Sequence, residues 1–206
     1  MPQSRRYKKK KSAGKAILAW IIVLAILAAG VFVFVSVFYE DAKKKLDEMN
    51  YPRTYSTYVE KAAKDYDLDP ALIYAVIHTE SGFDPKAESG VGAKGVMQMM
   101  PSSFEWLQEQ RGCAGQYTED DLFDPEICID YGSYLLKYFY DYYGTERSAI
   151  AAHNAGFVVS DWLNDTNYSA DGKNLDSIPY PETKNYVDKV ESAKEMYIKL
   201  YYSQSN

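Results

Sequence analysis

After a short polar lead the chain opens on an unbroken apolar stretch: from Ala16 to Phe38 (AILAWIIVLAILAAGVFVFVSVF) no residue is charged. At about 1.5 Å per residue, a helix of this length covers roughly 35 Å, enough to cross the hydrocarbon core of a bilayer with some tilt. A cleaved secretory leader would have a shorter apolar region followed by a small-x-small site. The residues that follow, Tyr39-Glu40-Asp41, offer no such site; only Ala28-Ala29-Gly30, inside the stretch, would serve. A small domain seldom buries so long a helix without a polar face. The pattern predicts a transmembrane signal anchor over residues 16–38.

From residue 39 the pattern changes. Residues 39–51 are densely charged and predict a short exposed helix or stalk, while residues 52–206 are enough chain for one domain with its own core. Within that domain apolar residues recur at helical spacing between recognisable start and stop signals. Thr57–Tyr66 reads as a first helix. Asp69-Pro70, an N-cap followed by Pro at the first helical position, opens a second that stops at Ser81-Gly82. Pro101 starts another through about Gln110, and Asp124-Pro125 opens a long one to Tyr143, closed by Gly144. Thr145–Asn154 predicts a short buried helix and Tyr186–Tyr202 a terminal one. Alternating strand patterns are scarce, so the fold class expected is mostly α.

Composition changes the picture in one respect. Across the 206 residues, 47% hydrophobic and 25% charged is ordinary for a folded protein, and the net charge is −6. That sum hides a split: residues 1–15 carry seven Lys/Arg and no acid, leaving 16 basic against 29 acidic residues elsewhere, or +7 against −13. Lys and Arg beside an apolar span stay cytoplasmic, so residues 1–15 read as a basic cytoplasmic tail of a single-pass cell-membrane protein, with everything from about residue 39 outside. Positive charge kept in a tail rather than on a folded surface argues against nucleic acid as a partner. Cys113 and Cys128, both on the outer side, could close one disulfide; the alternative is two unpaired, partly buried thiols. No Cys/His cluster supports a metal site, and no cofactor motif is present.

The candidate chemistry begins in Ile73-Tyr74-Ala75-Val76-Ile77-His78-Thr79-Glu80. Positions 73, 76, 77 and 80 share a helical face, so Glu80 ends an apolar stripe. Partial burial there would raise its pKa toward the range a general acid needs at neutral pH; a frayed, solvated Glu80 is the even alternative. His78 lies off that face and reads as an exposed or packed histidine. Downstream, Gly90, Gly92 and Gly95 permit close backbone approach, Gln98 is a lone amide among apolar residues, and Met97, Met99 and Met100 taken alone would be core filling.

These pieces do not stand alone. Glu80-Ser81-Gly82-Phe83-Asp84-Pro85, Gly92 to Pro101 (GAKGVMQMMP), Ala152-His153-Asn154-Ala155-Gly156 and Pro179 to Val187 (PYPETKNYV) follow one another in order. Asp124-Pro125-Glu126-Ile127 with Gly132, Tyr134 and Leu135 lies between the second and third. Together, over roughly Pro52 to Leu200, they resemble the catalytic domain of the soluble lytic transglycosylases, relatives of goose-type lysozyme. The resemblance implies a lysozyme-like α-helical domain with a substrate groove and peptidoglycan glycan strands as partner. It further implies non-hydrolytic cleavage of the β-1,4 bond between N-acetylmuramic acid and N-acetylglucosamine, leaving 1,6-anhydromuramyl ends. Glu80 matches the family's single catalytic acid/base. Ser89, Gln98, Met100, His153, Asn154, Glu182 and Tyr186 fall at substrate-binding or neighbouring positions, with a structural role equally open for Glu182 and Tyr186.

Two departures stand out: His153 where the family has Tyr, which could carry charge and act on Glu80, and Phe157 where the family has Pro. Tyr131, Tyr134, Tyr138 and Tyr142, at helical spacing, could offer stacking faces for sugars but read mostly as half-buried core. Two other functions remain open at this level. One is a hydrolytic muramidase in which Asp84, Glu88 or Glu182 helps a water; the other is a non-catalytic peptidoglycan-binding scaffold of a cell-envelope machine.

Overall fold

The computed structural model describes the backbone of residues 5–203 and the side chains from Gly14 to Ser203. The cationic side chains expected over residues 1–15 lie outside the described residues, save Lys15. The chain divides into two units at residue 50.

The first unit is a single helix, α1 (Arg5–Asn50). Its apolar side chains are exposed on every side, Trp20, Phe32 and Phe38 among them. Among the described residues it is the one helix long and apolar enough to cross a membrane. The charged residues 39–50 take the helical alternative and continue α1 without a break. Ala, Lys, Leu, Glu and Met are good helix formers, and no Gly or Pro intervenes before Pro52.

The second unit, residues 51–206, is built from helices; among the described residues β pairing is limited to two isolated bridges, Glu88 with Lys94 and Lys94 with Met99. Helices α2 (Ser56–Tyr66), α3 (Pro70–Ser81), α4 (Pro101–Gln110), α5 (Pro125–Tyr143) and α6 (Glu146–Ala155) fall close to their expected bounds. The reason is local chemistry. The carboxylates of Asp69 and Asp124 accept the backbone N–H of Ala71 (2.9 Å) and Glu126 (2.8 Å), and each is followed by Pro. Gly82 and Gly144 close α3 and α5 in the left-handed conformation.

Two stretches differ. The terminal helix α8 (Pro181–Tyr197) starts five residues before the expected Tyr186, because Pro181 supplies a preset φ at the first helical position. A 3₁₀ turn (Gly156–Val158) and the short α7 (Val159–Leu163) occupy a stretch where no element was predicted; they bury Val159, Trp162 and Leu163.

Helix α3 is the hub of the domain. It packs against α8 and α2, while α6 bridges α8 and α5. Every side chain from Ala71 to Ile77 is at most 1% exposed. The periodicity assigns α3 one apolar face; in the fold every face from Ala71 to Ile77 is covered, and beyond Ile77 the helix emerges at its last turn.

The loop from 82 to 100 lies over the C-terminal end of α3 and is fastened at several points. Lys94 spans from it to Glu119 and Asp120, 3.1 Å each, in a 3₁₀ helix (Glu119–Phe123). Gly95, at φ +74°, touches the chain at Leu122, and Gly132 of α5 lies against Met97. The disulfide weighed between Cys113 and Cys128 is not formed. The Cys128 thiol is buried under this loop, accepting the Met97 N–H at 3.4 Å, while the Cys113 thiol sits 3.3 Å from the Tyr131 hydroxyl. Each sulfur has a local partner of its own. Burial pushes the Cys128 thiol up to about 12, so it is inert at neutral pH.

A Cβ at position 95 would sit 2.0 Å from the Leu122 carbonyl oxygen, so Gly95→Ala is expected to cost about 3 kcal/mol or more. Gly90→Ala, with nothing within 4 Å, should stay within about 0.5 kcal/mol of the parent. Urea denaturation of the full chain in detergent, followed by tryptophan fluorescence, measures both; equal midpoints would remove the close approach from the account.

Candidate active site

Glu80 stands in the last turn of α3, where the buried helix emerges. Next to it, Ser81 ties helix to loop: its hydroxyl reaches the carbonyls of Val96 (2.9 Å) and Ile77 (3.2 Å) and accepts the N–H of Phe83 (3.1 Å). The Glu80 side chain is 15% exposed. Burial raises its pKa from the ordinary 4.5 to about 7, and the nearby Tyr186 hydroxyl pulls it partly back down. The even choice between a solvated and a desolvated carboxyl thus resolves to the desolvated one.

Two residues from distant parts of the sequence meet it there. His153, in the last turn of α6, lies with Nε2 3.7 Å from Glu80 Oε1 and 3.3 Å from the Met97 carbonyl oxygen. The expectation that this imidazole could carry charge does not hold. Its side chain is 2% exposed, and burial lowers its pKa from 6.5 to about 4. A helix C-terminus favours imidazolium by up to about 2 kcal/mol, but burial outweighs it here. At neutral pH the ring is neutral, with its Nε2–H aimed at the Met97 carbonyl, and its buried Nδ1 has no partner. Tyr186, buried on α8, has a hydroxyl without a partner of full hydrogen-bond geometry; burial first, and then the nearby Glu80 carboxylate, hold its pKa well above the phenol range. It stays protonated and can only donate to the carboxylate. Among the described residues no other carboxylate acts on Glu80.

The remaining candidates line the loop and the opposite helices. Gln98, at φ 48°, donates both amide hydrogens to the carbonyls of Ala87 (3.1 Å) and Gly95 (3.0 Å), so its side-chain oxygen is what remains to accept. Ser89 closes a turn by accepting the Ala93 N–H at 2.9 Å, keeping its O–H to give. The three methionines divide: Met97 and Met99 are core, while Met100 is 38% exposed at the start of α4. Asn154 is exposed, and its carbonyl oxygen accepts the Thr183 hydroxyl at 2.8 Å, leaving its NH₂ to donate. Glu182 is exposed in the first turn of α8 and has no bond to the cluster around Glu80. His78, as read from sequence, packs: its ring stacks on Tyr51 at 4.9 Å.

Sequence reasoning missed Ser81 and Lys94 as the residues that fix the loop. The only available signal was Ser81 directly following Glu80. Nothing in a lone Lys announces that Glu119 and Asp120 will pair with it.

The sequence and fold of this helical domain are shared with known proteins. The Transglycosylase SLT domain profile matches residues 57–175, more than half of the chain, and the chain belongs to that family. It is 32% identical over 146 residues to the soluble lytic murein transglycosylase of Escherichia coli, covering 69% of this chain and 23% of that protein. It is 30% identical over 167 residues to the membrane-bound lytic murein transglycosylase C of Actinobacillus succinogenes, covering 70% and 47%. The solved structure of an inactive Glu-to-Gln mutant of lytic transglycosylase Slt from Pseudomonas aeruginosa superposes with a TM-score of 0.65 at 30% identity, over 74% of this chain and 25% of that one. The chain therefore spans from about a quarter to about half the length of these proteins. The lysozyme-like α-helical class expected from sequence is the one observed.

The two buried titrations act with opposite sign on stability. Between pH 4.5 and about 7 the folded state holds the Glu80 proton that the unfolded chain releases, so stability falls as pH rises through that window. Between about 4 and 6.5 the unfolded chain protonates His153 and the folded state does not, so stability rises. Glu80→Gln keeps only the second effect. Its unfolding free energy should match the parent's below pH 4.5 and exceed it by about 3 kcal/mol above pH 7. A gap independent of pH, in urea titrations run at each pH, would sink the assignment of a raised Glu80.

Proposed function

We propose that this chain is a membrane-anchored lytic transglycosylase of peptidoglycan, with Glu80 as its single general acid and base. One observation carries the reading: a lone desolvated carboxyl, poised near neutral pH between a neutral imidazole and a protonated phenol. Glycosidases that use water or a protein nucleophile place a second carboxylate across the bond. No carboxylate is among the causes of the Glu80 shift, and on this reading the nucleophile is supplied by the substrate itself.

The steps balance without water. Protonated Glu80 gives its proton to the glycosidic oxygen as the bond to muramic acid C1 breaks, freeing the 4-hydroxyl of N-acetylglucosamine. The carboxylate left behind takes the proton of the muramic acid C6 hydroxyl as that oxygen bonds to C1. The anhydro ring closes and Glu80 is restored as the acid. Tyr186 donates toward the transient carboxylate, and neutral His153 adds no charge that would trap it. Around the sugars, the Gln98 oxygen accepts from hydroxyl or amide groups, Asn154 and Ser89 donate, and the exposed Met100 thioether packs on a ring.

The apolar α1 supports an anchor in the cell membrane, and the cluster of Lys and Arg before it supports a cytoplasmic N-terminus with residues 51–206 facing the wall. Peptidoglycan glycan is the partner expected, and the reaction as written needs no cofactor.

Full-length protein in detergent, incubated with purified sacculi, should release fragments ending in anhydromuramic acid, lighter by one water than hydrolytic products in mass spectrometry. Glu80→Gln should lower release at least about a hundredfold. Products with reducing muramic acid ends would instead make the chain a muramidase, and intact sacculus binding without products would make it a scaffold.

A further inference from the structure

The tyrosines of α5 separate into two groups. Tyr131 is 3% exposed and belongs to the core. Tyr138 is half-buried and Tyr142 is 58% exposed. Their rings lie one helical turn apart, 6.3 Å between centroids, and within 12° of parallel. Phe157, 49% exposed, stands edge-on to both, at 6.2 and 5.9 Å, and edge-on to Trp106 of α4 at 6.3 Å. Trp106 in turn meets Tyr138 edge-on at 5.0 Å. Beside these rings a concavity of about 340 Å³ is lined by Tyr134, Lys137, Tyr138, Asp141 and Tyr142, with Lys137 and Asp141 paired at 2.7 Å.

We infer that this platform of Trp106, Tyr138, Tyr142 and Phe157 is a second glycan-binding surface, holding sugars of the strand beyond those at Glu80. The inference rests on the peptidoglycan reading above. Continuity is its first argument. Phe157 follows His153 by four residues, and Trp106 lies on the helix that Met100 caps. The chain thus leads from two site residues into the same cluster, where Trp106 and Phe157 meet.

Chemistry is the second argument. Sugar rings present C–H faces that pack on aromatic faces and hydroxyls that need partners at the rim. Tyrosine hydroxyls, an ammonium and a carboxylate around exposed rings supply both. The rings are also held by one another in edge-on contact, so little side-chain freedom is lost on binding. A lipid surface fits less well. Residues 51–206 carry 13 basic against 25 acidic side chains, net −12, which repels anionic headgroups.

The platform would lengthen the bound strand and slow its release between cuts.

The test uses the full chain in detergent carrying Glu80→Gln, so that sacculi are bound and not digested. Tyr142→Ala and Phe157→Ala should each weaken binding to purified sacculi about three- to tenfold. Tyr142→Phe should restore most of it, since the ring makes the contact. Tyr140→Ala, an exposed tyrosine on another face of the same helix, should bind as the parent does, and the melting temperatures of all variants report folding. Unchanged sacculus binding by folded Tyr142→Ala and Phe157→Ala overturns the platform alone. The same result with lost affinity for phosphatidylglycerol vesicles reassigns the patch to the bilayer and also overturns it. No sacculus binding by the parent overturns the peptidoglycan reading and the platform together.

Discussion

A carboxyl group at the end of a helix buried on all sides is the constraint on which this domain is organised. Ala71 to Ile77 give α3 no polar face, so its neighbours must enclose it completely. The first residues with room for water are those of its last turn, and there a carboxylate meets both desolvation and the negative end of the helix dipole. Both disfavour ionisation. The protein then surrounds Glu80 with groups that do not oppose them strongly: an imidazole too buried to charge and a phenol too buried to ionise. Had the imidazole been cationic, it would have drawn the carboxyl back toward its ordinary range, where it holds no proton at neutral pH.

The loop between α3 and α4 owes its shape to contacts rather than to regular structure. Phe83 and Gln98 both sit at positive φ, at 70° and 48°, in a region that non-glycine residues enter only under constraint. The constraint comes from the Ser81 hydroxyl, the Lys94 bridge to the 3₁₀ helix, and the Gln98 amide closing on two carbonyls. A carbonyl at Met97 is thereby presented to His153, which makes the loop part of the site's electrostatics and not only its cover.

The starts of α3 and α5 were legible because their causes are local. Asp-Pro at 69–70 and at 124–125 caps and preorganises a helix from its own residues. The five-residue α7 was not legible, since a helix that short depends on tertiary packing of Trp162 and Leu163. The same division runs through the site. Glu80 could be found by its register with Ile73, Val76 and Ile77, and the ordered motifs gave His153 and Tyr186 as candidates. That His153 would be neutral and Tyr186 would face the carboxyl depended on α8 packing against α3 and α6 against α8, which no local pattern encodes. The disulfide failed for a related reason: spacing along the chain does not say which way a thiol points.

One further feature lies where the chain enters the domain. The carbonyls of Tyr51 and Pro52 accept the hydroxyls of Tyr201 and Tyr197, at 2.8 and 3.0 Å, and Tyr51 stacks on His78 of α3. Arg53 lies over the rings of Tyr201 and Tyr202. Residues 51–53 are thereby held to residues 197–202 and to α3 by several contacts at once, so the opening of the domain and its final helical turns cannot part without breaking them together.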